Sequence, residues 1–178
     1  MSHIKGIVMA ETTKLKGNVV ALSGTQINVG DNAPEITVVA KDLSEIKVGG
    51  ISDKVQLIVV VPSLDTAVCA AETRKFNEEA ASIEGVNVTV VSMDLPFAMG
   101  RFCTTEGIEN LAVGSDFRNK DFANAYGMLI SEGPLAGVTA RAIFVVDKNG
   151  KVAYKQLCPE ITQEPQYAEA IKAAKAAV

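Results

Sequence analysis

The feature that most constrains this chain is a buried-strand pattern that ends at a proline and leads directly into a helical pattern. Val55–Val61 is continuous and β-branched, as expected for a strand covered on both faces of a sheet. Pro62 ends this run, a short polar loop follows, and a helical pattern begins near Thr66. The sequence therefore predicts that Cys69 lies in the first turn of a helix that follows a central strand.

A cysteine in a first helical turn feels the positive end of the helix dipole, which favours thiolate over thiol. That effect is worth at most ~2 kcal/mol, and an ordinary cysteine ionises above neutral pH. A strongly reactive thiolate at Cys69 would therefore need a second cation, an arginine or lysine. Because cysteine is also among the most often buried residues, helix position alone leaves open that Cys69 is a small buried hydrophobe.

Pro62, Thr66 and Cys69 form the pattern Pro-x-x-x-Thr-x-x-Cys. This pattern resembles the active site of the peroxiredoxins, and the longer run PSLDTAVCAAETRKF at 62–76 resembles their thiol peroxidase branch, the atypical 2-Cys group. The resemblance covers the chain from about Lys16 onward. Five further motifs resemble the same branch in the same order: DLPFAMGRFC at 94–103, FRN at 117–119, AYG at 125–127, GPLAG at 133–137 and ARA at 140–142.

The resemblance implies a thiol-dependent peroxidase that acts on hydrogen peroxide and organic hydroperoxides. Cys69 would attack the peroxide and become a sulfenic acid, and Cys103 would then form an intrachain disulfide with it. Arg141 would be the cation beside Cys69, although from sequence alone it could equally be a surface arginine. Thr66 and nearby backbone N–H groups would hold the peroxide oxygens, and Pro62 would screen the intermediate from solvent.

Cys103 lies on a second helical pattern, which runs from Phe97 to about Glu106. On its own it could be a buried helix cysteine. A disulfide needs Cα atoms within ~7 Å, so we expect a fully folded reduced form and a locally rearranged oxidised form. The resemblance also implies thioredoxin as the reductant and a homodimer. The mechanism needs no metal, flavin or haem.

Three other residues have expected roles outside the chemistry. Cys158 departs from the family pattern, where an apolar residue is more usual before Pro159, and we expect it to pack as a small hydrophobe. Arg74, one and a half turns beyond Cys69, is expected to be structural or to support the site indirectly. His3 is the only histidine and is expected to be inert, which argues against a Cys–His hydrolase.

Two alternative functions remain open on the sequence. A thiol–disulfide oxidoreductase of the same fold would normally carry Cys-x-x-Cys at the helix start, but Glu72 stands three residues after Cys69. A non-enzymatic redox sensor or binding protein would form the same sulfenic acid with slow turnover. Steady-state kinetics with a reductant would separate a sensor from an enzyme.

Composition excludes several classes of protein. A chain of 178 residues fits one domain, and a net charge of −4 without a basic cluster argues against nucleic-acid binding. No apolar run approaches the ~18 residues that a membrane span needs. Three cysteines without a Cys-x-x-Cys pair disfavour a disulfide framework or a zinc site. A cytoplasmic protein with catalytic thiols is the simplest interpretation, and residues 1 to about 14 are expected to be a loose leader.

Alternating strand and helix patterns predict an α/β fold with a mixed central sheet flanked by helices. The strand–helix–strand spacing from Val55–Val61 through 66–83 to Val86–Val91 implies a right-handed parallel crossover. Within that helix, Glu72 is expected to face solvent with the other charged residues. The family resemblance identifies the fold as thioredoxin-like.

Two hairpins are also predicted. Asp147-Lys-Asn-Gly150 between Ala142–Val146 and Val152–Leu157 is a strong hairpin signal. Nearer the N-terminus, Asn18–Leu22 and Thr25–Val29 flank Ser23-Gly24 and predict an N-terminal β-hairpin.

Overall fold

The structure is a computed structural model that describes residues 11–81 and 83–178, and it is organised around a seven-stranded mixed sheet. The strand order in this sheet is β10-β9-β5-β6-β7-β3-β4, and β1-β2-β8 form a separate three-stranded sheet. The strands are β1 Thr12–Leu15, β2 Asn18–Ser23, β3 Ile36–Ala40, β4 Glu45–Val48, β5 Val55–Val60, β6 Val86–Ser92, β7 Ala112–Ser115, β8 Leu129–Ile130, β9 Ala142–Val146 and β10 Val152–Leu157. The helices are α1 Ala67–Glu79, α2 Pro96–Glu106, α3 Asp121–Ala125 and α4 Tyr167–Ala176.

The apolar run identified in the sequence forms the central strand. All six residues of β5 are buried, and β5 pairs parallel with β6 and antiparallel with β9. Alternate side chains of a strand point to opposite faces, so β5 contributes to two apolar clusters. One cluster lies under α1, α2 and α4, and the other lies under α3 and the small sheet. The predicted α/β architecture with a mixed sheet is confirmed, and α1 starts directly above the carboxyl end of β5.

The N-terminal hairpin is present, but its position differs from the prediction. β1 pairs antiparallel with β2, and the two-residue turn Lys16-Gly17 has φ of 49° and 83°, as a tight hairpin turn requires. Residues 25–29, predicted to be the second strand, are not a strand. The second partner of β2 is β8, far along the chain, and alternation of apolar residues cannot reveal a partner at that separation.

The boundaries of the other elements follow the sequence patterns closely near turns and less closely at helix ends. The β9–β10 hairpin has the predicted strands, and α2 is capped at its C-terminus by Gly107, whose φ of 65° suits glycine. Helix α1 ends at Glu79, before the predicted end near Ile83. The expected leader is wrong for residues 12–14, which lie in β1.

Residues 1–10, including His3, lie outside the part of the chain that the structure describes. Among the residues it does describe, none of the helices has the length and apolar character needed to cross a membrane.

Candidate active site

Cys69 lies fully buried in the first turn of α1, as the sequence predicts. Thr66 is the N-cap, and its hydroxyl oxygen accepts a hydrogen bond from the backbone N–H of Cys69 at 3.2 Å. The same hydroxyl donates to the carbonyl of Ser63 at 3.3 Å. A capping side chain satisfies one of the free N–H groups at a helix start. Thr66 therefore fixes the backbone of the cysteine itself, and its predicted contact with peroxide stays a prediction.

Arg141 places a cation directly beside Cys69. Its side chain is 2% exposed, and its Nη2 donates to the Cys69 Sγ at 3.1 Å. Nη1 donates to Glu72 Oε2 at 2.5 Å, and Nε donates to the Ile161 carbonyl at 2.7 Å. The alternative of a surface arginine is therefore excluded. Burial alone would lower the pKa of Arg141, but the negative charges of Cys69 and Glu72 raise it overall, so the guanidinium stays positive.

Glu72 is the site residue that the sequence analysis missed. It was expected to face solvent, but it is completely buried and its Oε2 binds Arg141. Its other oxygen, Oε1, has no hydrogen-bond partner among the described residues. Burial raises the pKa of Glu72 to about 7, although the charge of Arg141 acts in the opposite direction. The available signal was spacing, because a residue three positions after Cys69 shares its helix face.

A buried hydrogen bond connects the residue before Pro62 with the segment that carries Arg141, just before β9. Pro62 is buried directly after Val61, and the Val61 carbonyl accepts a hydrogen bond from Thr139 Oγ1 at 2.7 Å. Thr139 lies two residues before Arg141. The start of the loop between β5 and α1 is therefore attached to the segment that carries Arg141. Screening of an intermediate by Pro62 stays a prediction.

Cys103 lies on α2 and is 4% exposed, within the same apolar cluster as Cys69. Both are free thiols in this structure. Burial raises the pKa of Cys103, which disfavours its thiolate while α2 stays packed. Helix α2 is attached to α1 by an ion pair between Arg74 Nη1 and Glu106 Oε2 at 2.7 Å. Arg74 therefore has a structural contact outside the site.

Cys158 packs at the end of β10 and does not contact the sulfur of Cys69 or Cys103 through any hydrogen bond in the described residues. Its backbone N–H donates to the Arg141 carbonyl at 3.0 Å. Burial raises the pKa of the Cys158 thiol to about 12, so it is a poor nucleophile at neutral pH. Within residues 11–81 and 83–178, no cluster of three or more histidine, cysteine or carboxylate side chains could hold a metal ion.

The chain is similar to known proteins over most of its length. Residues 28–171 match the family model described as Redoxin. A thiol peroxidase from Aquifex aeolicus is 59% identical over 167 residues, which cover 94% of this chain and 98% of the relative. A thiol peroxidase from Bacillus subtilis is 46% identical over 170 residues, covering 96% and 99% of the two chains.

The solved structures agree with this relationship. The crystal structure of a peroxiredoxin-like protein from Aquifex aeolicus has a TM-score of 0.92 at 58% identity and covers 96% of this chain and 99% of its own. A thiol peroxidase from Chromobacterium violaceum shares the fold, with a TM-score of 0.83 at 23% identity over 93% and 95% of the two chains. These likenesses confirm the thioredoxin-like fold. The chain belongs to the Redoxin family and, within it, to the thiol peroxidase branch of the peroxiredoxins.

Proposed function

We propose that this thiol peroxidase reduces hydrogen peroxide and organic hydroperoxides through a sulfenic acid on Cys69. The observation that carries the proposal is the 3.1 Å contact between Arg141 Nη2 and the Cys69 sulfur in a fully buried site. A guanidinium at that distance stabilises negative charge on a sulfur that attacks peroxide. The thiolate attacks one peroxide oxygen, the O–O bond breaks, and the other oxygen takes a proton and leaves as water or alcohol. Sulfur is oxidised by two electrons and the peroxide is reduced by two.

The groups around the sulfur suit the charge that develops on the leaving oxygen. Arg141 is held by three hydrogen bonds, so it does not have to reorganise during the reaction. The first turn of α1 adds backbone N–H groups, and Thr66 adds a hydroxyl. Pro62 then limits the access of water to the sulfenic acid. In this proposal Arg141 and Thr66 bind the two oxygens, and Cys69 is the nucleophile.

Formation of a disulfide between Cys69 and Cys103 completes the oxidative half of the proposed catalytic cycle. The Cys103 thiolate attacks the sulfur of the Cys69 sulfenic acid, the S–O bond breaks, and hydroxide leaves as water after protonation. Cys103 is buried on a different helix from Cys69, so α2 has to open. Because burial raises the pKa of Cys103, the same opening makes its thiolate easier to form.

The remaining steps of the proposal follow from family membership. An external dithiol of the thioredoxin type reduces the disulfide and returns both thiols, which gives an antioxidant cycle. A cytoplasmic location suits three free thiols. A homodimer is proposed as well, and Leu95 and Phe97, which are 52% and 70% exposed at the start of α2, are large apolar residues that such an interface would cover.

A peptide map of the reduced protein after one equivalent of hydrogen peroxide tests the mechanism. We expect a Cys69–Cys103 crosslink in the parent protein and in the matched control Cys158→Ser, and none in Cys69→Ser. Turnover of peroxide with thioredoxin, its reductase and NADPH should follow in the first two proteins only. A Cys69 that stays reduced, or that pairs with Cys158, contradicts the mechanism, and oxidation without turnover indicates a sensor.

A further inference from the structure

Asp94 accepts several hydrogen bonds beside the loop between β5 and α1, which precedes Cys69. It lies between the end of β6 and the N-cap of α2. Its carboxylate accepts three hydrogen bonds: from Ser63 Oγ at 2.7 Å, from the Leu64 backbone N–H at 2.7 Å and from Ser92 Oγ at 2.6 Å. Two of these donors belong to the loop between β5 and α1. Asp94 therefore binds the segment that ends in the Thr66 cap.

Asp94 is itself attached to the central sheet. Its backbone N–H donates to Ser92 Oγ at 3.2 Å, and its carbonyl accepts from Ser115 Oγ on β7. The Asp116 N–H in turn donates to the Ser92 carbonyl at 2.9 Å. Since β6 and β7 pair in parallel, Asp94 is hydrogen-bonded to the ends of two neighbouring, paired strands. Asp94 therefore links the loop between β5 and α1 to the central sheet.

The loop held by Asp94 sets the position of the reactive sulfur. It connects β5 to α1, and Leu64 within it is buried. Ser63 uses its hydroxyl to bind Asp94 and its carbonyl to accept from Thr66, whose own hydroxyl accepts from the Cys69 N–H. A chain of hydrogen bonds thus runs from Asp94 through Ser63 and Thr66 to the backbone of Cys69.

We propose that Asp94 is a positioning residue for the peroxidatic step, which fixes the loop before α1 and so aligns the first turn of that helix around the peroxide. The inference rests on the proposed function of Cys69. It assigns no contact with peroxide to Asp94. Small displacements of aligned groups are costly in catalysis, so the loss of this anchor slows the reaction of the sulfur with peroxide.

Because Asp94 is negatively charged, the direction in which Asp94→Asn changes the rate of the peroxide reaction distinguishes positioning from electrostatics. Whatever its distance, the charge of a carboxylate can only disfavour negative charge on a thiolate. On electrostatic grounds alone, Asp94→Asn would make Cys69 more nucleophilic. Positioning predicts the opposite, because an asparagine in the same place supplies one acceptor oxygen for three donors. A slower reaction therefore cannot come from the removed charge.

The test compares Asp94→Asn with Asp147→Asn, each in a Cys103→Ser/Cys158→Ser background in which Cys69 is the only thiol. Asp147 is a matched control, because it also accepts backbone hydrogen bonds, from Asn149 and Lys151 at 2.9 and 3.0 Å, in the β9–β10 turn. The chain has no tryptophan, so the reaction with hydrogen peroxide is followed by rapid quench and intact mass. Alkylation by iodoacetamide is measured in parallel, because it depends on the nucleophilicity and accessibility of the sulfur but not on the alignment of a peroxide.

We expect Asp94→Asn to lower the rate constant with hydrogen peroxide by about tenfold and the alkylation rate constant by less than about twofold. Asp147→Asn should leave both unchanged. Ser63→Ala keeps the carboxylate, removes one donor and should lower the peroxide rate constant by about two- to threefold. If Asp94→Asn does not fold, as judged by circular dichroism, Ser63→Ala carries the test.

Several results would overturn the inference. An unchanged or faster peroxide reaction in Asp94→Asn, with the parent reacting normally, shows that the anchor has no positioning role. Equal losses with peroxide and iodoacetamide show a general loss of the thiolate instead. A parent that forms no sulfenic acid with hydrogen peroxide overturns the proposed function, and the role of Asp94 with it.

Discussion

The two cysteine-bearing helices are attached to the molecule in different ways. Cys69 on α1 lies beside a buried ionic pair, Arg141 and Glu72, whose side chains are 2% and 0% exposed. Cys103 on α2 lies in an apolar cluster, and the ion pair that attaches its helix to α1 joins side chains that are 44% and 30% exposed. Cys69 therefore lies beside buried charges, whereas Cys103 lies in an apolar cluster on a helix that is attached to α1 by a partly exposed ion pair.

This difference matches the roles that we propose for the two thiols. Electrostatic catalysis works best when its dipoles and charges are already oriented, and a buried pair with fixed partners provides that orientation. A resolving thiol has to leave its place, and segments held by few, partly exposed contacts open at the lowest free-energy cost. The α1 site is suited to a fixed nucleophile, and α2 is suited to local opening.

Arg141→Gln gives the largest expected effect, because it removes the cation from the fixed site. We expect the rate constant with hydrogen peroxide to fall by about 10²–10³-fold. The free energy of unfolding should fall by about 3 kcal/mol, since Glu72 is left buried without its partner. Rapid-quench kinetics and urea unfolding measure the two quantities.

A second variant separates stability from catalysis. Arg141→Met combined with Glu72→Leu removes both buried charges and should recover most of the stability but none of the activity. Arg74→Gln is the matched control, because it breaks an arginine–glutamate pair at the surface. If Arg74→Gln slows the peroxide reaction as much as Arg141→Gln does, the contrast between the buried and exposed pairs is wrong.

The protonation of Glu72 gives an effect of intermediate size. Its folded-state pKa of about 7 lies above the ordinary value of 4.5 because of burial. Between these values the folded protein binds a proton that the unfolded chain does not. The free energy of unfolding contributed by Glu72 therefore falls as pH rises from about 4.5 to 7, by at most ~1.4 kcal/mol per pH unit. Urea unfolding across this range, in the parent and in Glu72→Gln, measures it.

Other carboxylates titrate in the same range, so the difference between the two proteins carries the result. Glu72→Gln should flatten the pH dependence, whereas Glu78→Gln, exposed on the same helix, should leave it unchanged. Parallel curves for the parent and Glu72→Gln would show that Glu72 is already ionised at pH 5.

Glu106→Gln gives the smallest effect and acts on α2, the helix that we propose opens. Surface ion pairs contribute about 0–1 kcal/mol, so amide exchange within α2 should accelerate by about two- to fivefold while α1 keeps its protection. Hydrogen exchange read by mass spectrometry measures both helices together. The control is Glu79→Gln, which breaks the Lys75–Glu79 pair within α1. Equal acceleration of α1 and α2 in Glu106→Gln would contradict separate opening.

The sequence patterns predict the parts of this protein that depend on local order. The β9–β10 hairpin follows from its turn residues, and the position of Cys69 follows from a strand that ends at Pro62 and a helix capped by Thr66. The role of Arg141 came from the family resemblance, because its position at a strand start was compatible with a surface residue. Its burial against Cys69 confirms that placement.

The errors concern residues whose environment depends on distant partners. Glu72 was expected to be exposed because a charged residue on a helix normally is, and only Arg141, 69 positions away, makes its burial tolerable. Asp94 was recognised within a motif, but its donors Ser63 and Leu64 lie about 30 positions earlier. The pairing of β2 with β8 was missed for the same reason, because the two strands lie far apart in the sequence. Periodicity describes one segment at a time and does not specify such partners.

The Nε contact of Arg141 with the Ile161 carbonyl affects when a growing chain becomes reactive. The guanidinium is fixed by groups from α1 and from the segment after β10, so the site cannot form until residue 161 has been made and folded. A nascent chain that has not reached this residue therefore lacks the fixed guanidinium beside Cys69. On the proposed mechanism, sensitivity to peroxide therefore arises only after residue 161 has joined the fold, when the sulfur is already enclosed.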